Sequence, residues 1–309
     1  MTLRIAIGDP GFAEAFDALV NARREADADV SADVKAIIQD VRDHGDAAVA
    51  RLTSKFDGHD LEQTGWRVDK AESAAALEDL EASLRVALEL AALRIRDYHE
   101  GQLPENRDYM DEAGVRIGAR WNAVERAGIY IPGGRAAYPS SVLMNAIPAK
   151  AAGVERIIMV TPANGGAINP LVLAAAELAG VDEIWRIGGA QAVAALAFGT
   201  EKIKSVDVIT GPGNAWVAEA KRQVFGVVGI DMVAGPSEIV VVADGQNDPD
   251  WIAADLLSQA EHDPTSQSIL FTDDAKFADQ VSEKIEEQLK VLTTSATATT
   301  SWTDNGAII

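Results

Sequence analysis

From Arg126 onward, short β-branched runs alternate with helix-length segments, and that alternation constrains the fold more than any other feature of the chain. Residues 128–131, 156–161, 183–187 and 206–209 read as strands. Behind a cap at Ser140 or Ser141, Val142, Met144, Ile147 and Ala151 mark a helix; further helices are expected over 169–178, 191–198 and 216–225. Strands separated by crossovers of this length pair in parallel. The right-handed crossover rule then makes a Rossmann-like unit the leading topology.

Glycine-rich turns follow several of these strands: Pro132-Gly-Gly134, Gly188-Gly189 and Gly211-Pro-Gly-Asn214. In open α/β sheets, ligands bind beyond the carboxyl ends of the strands. A turn without side chains lets backbone N–H groups reach a phosphate, and a helix N-terminus favours an anion. None of the three matches the dinucleotide fingerprint or the P-loop. Two readings stand at this point, a phosphate cradle or ordinary turns.

Before this stretch the chain reads as helical. Phe12, Phe16 and Leu19 share a face, with Arg23 and Arg24 near the end. A helix from about Ser31 carries Val34, Ile37, Ile38 and Val41; Gly45 breaks it, and Asp46 can cap a successor carrying Val49, Leu52 and Phe56. From about Ala71, the residues Leu77, Leu80, Leu84, Leu88, Ala91, Ile95 and Tyr98 keep one helical period for some six turns. His44, His59 and His99 fall at helix ends or in turns, as structural or solvated residues.

A second α/β stretch closes the chain. Residues 238–243 and 268–272 are strand-forming, and Asp273 or Asp274 can cap a helix through Phe277, Val281, Ile285, Leu289 and Leu292. A Thr/Ser/Ala-rich connector is expected over 293–301. Residues 306–309 look like the start of a buried strand, expected as an unpaired edge, and they suggest a truncated chain. Between the two strands, Gln259 and His262 are three apart before Pro264, a spacing that puts both on one helix face. An amide oxygen and an imidazole can ligate zinc; the alternative is a solvated helix end. The boundaries drawn are a helical region at 1–120, a Rossmann-like domain at 121–236, and a second α/β segment at 237–309 packing with the N-terminal region. The fold class is thus α/β, two Rossmann-like parallel-sheet units with a helical N-terminal region.

Composition removes several functions. With 48 acidic against 27 basic residues the net charge is −21, which argues against nucleic acid or an anionic membrane as partner. The absence of cysteine excludes disulfides, thiolate metal sites and a cysteine nucleophile. The first ten residues lack the apolar core of a signal peptide, so a cytoplasmic protein is expected.

One set of fragments is specific in order and spacing. It comprises Asp40-Val-Arg with Gly45-Asp46, the Thr-Ser-Lys-Phe-Asp-Gly run at 53–58, residues 128–134, and Pro-Ser-Ser-Val-Leu-Met at 139–144. It continues through Gly-Gly-Ala-Gln-Ala at 188–192, Gly-Pro-Gly-Asn at 211–214 and Ile-Asp-Met at 230–232. Ala-Gly-Pro-Ser-Glu at 234–238 and Leu-Ser-Gln-Ala-Glu-His-Asp at 257–263 complete it. From about Val34 to its end the chain resembles the histidinol dehydrogenases. The resemblance implies a zinc-dependent enzyme that oxidises L-histidinol to L-histidine through histidinal in two NAD-linked steps, and that works as a homodimer. It implies that Gln259 and His262 ligate zinc, that Ser237, Gln259 and His262 contact substrate, and that Tyr130, Gln191 and Asn214 contact NAD. The family's catalytic Glu-His pair, with an Asp and a His that complete the zinc shell, falls beyond Ile309. No catalytic residue is therefore assigned, and weak or no activity of this chain alone is expected. A non-catalytic NAD-binding fragment and a dehydrogenase of another amino alcohol are the alternatives.

Overall fold

The computed structural model describes residues 2–21, 30–133, 138–233 and 237–309. They form two units, Met1–Ala28 with Ala234–Ile309, and Asp29–Val233. The first unit opens with β1 (Leu3–Arg4) and α1 (Phe12–Asn21), where Phe12 and Phe16 stack with centroids 5.7 Å apart. Arg23 and Arg24 lie outside the described residues.

The second unit begins with α2 (Ser31–Asp57), a single span kinked at Gly45, whose φ of 49° and ψ of −129° leave the helical region. Asp46 is not the cap expected there. The Glu201 carboxylate accepts its N–H at 2.8 Å, and the Asp46 carboxylate in turn accepts the Lys202 N–H at 3.3 Å. Next come α3 (Leu61–Thr64), α4 (Lys70–Glu78) and α5 (Ala82–Glu100). The long helix expected from Ala71 is thus two helices. Glu81 accepts the N–H of Ser83 and starts a new helix where the apolar period would have run on. A fully exposed antiparallel hairpin, β2 (Arg107–Met110) and β3 (Arg116–Ala119), was not foreseen. Its strands carry no apolar alternation; Asp111 holds the turn by accepting the N–H groups of Ala113 and Val115.

The expected alternation follows: β4 (Arg126–Tyr130), α6 (Pro139–Ala151), β5 (Arg156–Val160), α7 (Pro170–Ala179), β6 (Glu183–Trp185), α8 (Gly189–Phe198), β7 (Val208–Thr210), α9 (Ala215–Val224) and β8 (Gly229–Ile230). The strands lie in the order β6-β5-β4-β7-β8, and every pairing is parallel. The chain moves outward from β4 through β5 to β6, then returns to place β7 on the other side of β4. That reversal is the switch point of a Rossmann sheet.

Both faces of the sheet are covered, and the covering corrects the boundary drawn at residue 120. Helix α8 is buried from Ala190 to Ala197, so it needs neighbours all round. The stripe of Val34, Ile37, Ile38, Val41 and Val49 on α2 shares its core with α8 and α9. On the opposite face, Leu88, Ala91, Ala92 and Ile95 of α5 pack with α6 and α7. Residues from 29 onward therefore belong with the Rossmann-like sheet, and only the first 28 join the C-terminal segment.

The first unit resumes with β9 (Glu238–Val242), α10 (Pro249–Ala260), β10 (Gln267–Phe271), α11 (Ala275–Leu289), α12 (Ser295–Asn305) and β11 (Ala307–Ile308). The stretch read as a connector is α12, which buries Ala298, Ser301 and Trp302. Nor is the final strand an unpaired edge. In the order β1-β11-β10-β9 it pairs in parallel on both sides, with β1 and with β10. No helix among the described residues is long and apolar enough to cross a membrane.

Candidate functional site

In the second unit, a cavity of about 440 Å³ opens beyond the carboxyl ends of β4 and β7, at the switch point. Tyr130, Gln191 and Asn214 all line it, joined by Phe56, Asp57 and Trp216. The first three were expected. The last three carry no site signal in the sequence: Phe56 reads as part of a helix's apolar face, and Asp57 falls within the run at 53–58.

Tyr130 ends β4 and is 4 % exposed. Its hydroxyl accepts the N–H of Gly189 at 3.0 Å. Burial pushes its pKa up to about 12 and the Asp57 carboxylate adds to the rise, against the lowering effect of the Gly189 hydrogen bond. The phenol thus stays neutral and keeps a proton to donate. Of the first glycine turn, Pro132 and Gly133 line the cavity, while Gly134 lies outside the described residues.

The second turn packs too closely for side chains. A Cβ on Gly188 would stand 2.3 Å from Pro162 Cγ, and Gly189 adopts a φ of +64°. Gly188 provides no side-chain cap; the Gly189 N–H is taken by the Tyr130 hydroxyl, and the next N–H groups of α8, those of Ala190 and Gln191, stay available to a ligand. Gln191, in the first turn of α8, is 1 % exposed, and its Nε2 is buried without a hydrogen-bond partner.

The third turn is held from beneath. Gly211 has a φ of +115°, and a Cβ there would meet the Tyr130 carbonyl oxygen at 2.1 Å. Its N–H donates to Asp231 at 2.9 Å, and its carbonyl accepts from Lys221 Nζ at 2.9 Å. Lys221 also binds the Asp231 carboxylate directly and is 2 % exposed. This ion pair, its ammonium buried and its carboxylate partly open to solvent, fixes both backbone groups of the glycine. Asn214 then caps α9 by accepting the Val217 N–H at 3.2 Å.

Phe56 and Trp216 present aromatic rings with centroids 6.5 Å apart. Asp57, the last residue of α2, has its Oδ2 buried without a partner, and burial raises its pKa. A narrow cavity with rings, free helix N-terminal N–H groups and unsatisfied polar atoms suits a nucleotide.

The remaining expected residues belong to the first unit. Helix α10 ends at Ala260, four residues before Pro264, so His262 sits in the turn past the helix rather than on its face. The His262 N–H still donates to the Gln259 carbonyl at 3.2 Å, which keeps the two at one helix end. Gln259 is half-buried, with Nε2 3.5 Å from Ser266 Oγ, and His262 is exposed. Ser237 is exposed at the head of β9; its carbonyl accepts the Gln267 N–H at 3.1 Å, and the three residues before it lie outside the described residues. An amide and an imidazole supply two neutral donors where a zinc shell needs about four. Among the described residues no group of three or more His, Cys, Asp or Glu could hold a metal. The donor set fits half a shell.

The other histidines have local partners. His44 Nδ1 is 3.0 Å from an Asp40 oxygen, and His99 lies edge-on to Tyr98. His59 is 1 % exposed against Thr64 Oγ1; burial lowers its pKa, helped by the Arg186 cation.

Known proteins match this chain along its whole length. A family model described as histidinol dehydrogenase covers residues 20–309. A histidinol dehydrogenase of Zymomonas mobilis is 60 % identical over 309 residues, all of this chain and 72 % of the relative. One from Rhizobium meliloti is 58 % identical, over all of this chain and 71 % of the relative. The crystal structure of histidinol dehydrogenase from Elizabethkingia anophelis superposes with a TM-score of 0.88 at 35 % identity, over all of this chain and 70 % of that one. The chain belongs to the histidinol dehydrogenase family.

Proposed function

We propose that the second unit binds NAD in the switch-point cavity and that the first unit binds L-histidinol, for NAD-linked oxidation through histidinal to L-histidine. The observation that carries this reading is the convergence of Tyr130, Gln191 and Asn214 on one cavity. The pyrophosphate lies against the N-termini of α8 and α9, where backbone N–H groups are available. The Tyr130 phenol and the Gln191 amide supply directed hydrogen bonds to the cofactor. Ser237, Gln259 and His262 contact the substrate. Gln259 would hold zinc through its amide oxygen and His262 through an imidazole nitrogen. A bound ion there would fix the amine of the amino alcohol and so orient the neighbouring carbinol. A cytoplasmic homodimer is part of the same proposal.

The test is titration of the purified chain with NAD, with NADH formation from L-histidinol followed in parallel. Saturable NAD binding that Gln191→Ala weakens is expected; its absence would defeat the reading. A second reading is NAD binding without turnover. It draws on the metal-donor set, two neutral groups with no third His or carboxylate clustered among the described residues. Binding without NADH formation would select it. Turnover of other amino alcohols in preference to L-histidinol would point to a different substrate.

A further inference from the structure

The switch-point cavity contains two polar atoms that the fold leaves unsatisfied. Asp57 Oδ2 and Gln191 Nε2 are both buried without hydrogen-bond partners. Such atoms are costly unless a ligand completes them. The two are of opposite kind. Gln191 Nε2 can only donate, so it needs a ligand oxygen or nitrogen acceptor. The ionised Asp57 carboxylate can only accept, so it needs a ligand hydroxyl or N–H.

Their placement divides the cavity electrostatically. Gly189 and Ala190 begin α8, and Asn214 caps α9, so both helices bring their positive ends to the crevice. Asp57 is the last residue of α2, capped by Gly58 in the left-handed conformation, so this helix brings its negative end. Phosphate groups are favoured at the first location and repelled at the second. The residue before Asp57 is Phe56, whose ring faces Trp216. A base stacked on these rings has its own ribose one glycosidic bond away, within reach of the carboxylate.

Resting on the NAD reading above, we propose that Asp57 is the residue that selects NAD over NADP. Its buried carboxylate oxygen accepts a hydrogen bond from a hydroxyl of the adenosine ribose, while Gln191 Nε2 donates to a neighbouring oxygen of the same cofactor. A 2′-phosphate at that position has no proton to give and meets a carboxylate at a negative helix end. The competing charge is Lys55, whose Nζ stands 5.0 Å over the Phe56 ring. It is exposed, so solvent and salt screen its attraction for a phosphate.

The experiment measures dissociation constants for NAD and NADP on the full chain, for the wild type, Asp57→Asn and Asp57→Ala. Asparagine is accommodated at helix ends, and melting curves establish that both variants fold. The wild type should bind NAD at least about a hundredfold more tightly than NADP. Asp57→Asn should weaken NAD binding about ten- to a hundredfold and bring the two cofactors within about threefold of each other. Asp57→Ala should lose the preference in the same way. A wild type that binds NAD while the folded variants keep its NAD-to-NADP ratio would overturn this assignment alone. So would a wild type that prefers NADP. A wild type that binds neither cofactor would overturn the cavity reading, and this inference with it.

Discussion

Replacing Lys221 with methionine removes the clamp under the third glycine turn. The ammonium is 2 % exposed, reaches the Gly211 carbonyl at 2.9 Å and binds Asp231, whose other oxygen accepts the Gly211 N–H. Methionine has similar bulk, so little cavity is created and the loss is electrostatic. Removing one partner of a buried pair costs about 3–5 kcal/mol. The Asp231 side chain is 32 % exposed and regains water when abandoned, which sets the cost near the lower end, about 3 kcal/mol. For a unit of this size the melting temperature should fall by about 6–12 °C. The turn also carries Asn214 into the cavity, so NAD affinity should drop about tenfold. Asp231→Asn should cost more, because it strands a buried cation, and the double variant should lose less than the sum. Thermal melts and NAD titrations on the three proteins read all of this. A melting temperature within about 2 °C of wild type would refute the buried clamp. A large drop with unchanged NAD affinity would show that the clamp does not position the cofactor turn.

Tyr130→Phe should destabilise the protein by about 1 kcal/mol through the lost acceptor of the Gly189 N–H, and should weaken NAD binding. Because the folded pKa is raised from 10 to about 12, Tyr130 contributes stability below pH 10 that disappears as pH rises through that interval. Denaturant melts of the phenylalanine variant should therefore decline less across that range. His59 has the opposite sense: its lowered folded pKa gives stability that is present above 6.5 and lost as pH falls below it. His59→Gln should flatten the acid side of the stability curve in urea melts from about pH 7 to 5. Zinc held by Gln259 and His262 alone should be lost on dialysis, since two donors leave the ion mostly to water. One zinc per chain surviving chelator treatment would contradict that.

The sheet was legible because strands β4 to β7 are near-continuous apolar runs separated by helix-length segments. The partner of the final strand was not, because β1 and β11 meet across almost the whole chain, Leu3 beside Ala307. Helix α12 read as a connector because Thr, Ser and Ala dominate it; its packing rests on Trp302 and on Ser301, whose hydroxyl donates to the Ser266 carbonyl. In the cavity, residue chemistry offered glycine turns, and the family resemblance supplied Tyr130, Gln191 and Asn214. Asp57 carried no comparable signal, since one helix-terminal carboxylate is inconspicuous among 48 acidic residues. Its significance depends on burial, which only folding reveals.

Trp216 lines the cavity and can report on a bound dinucleotide. In a titration with NADH, the account predicts saturable quenching of tryptophan emission that added NAD reverses and that Trp216→Phe largely abolishes. Quenching that does not saturate, or that keeps its full amplitude in the Trp216→Phe protein, would contradict it.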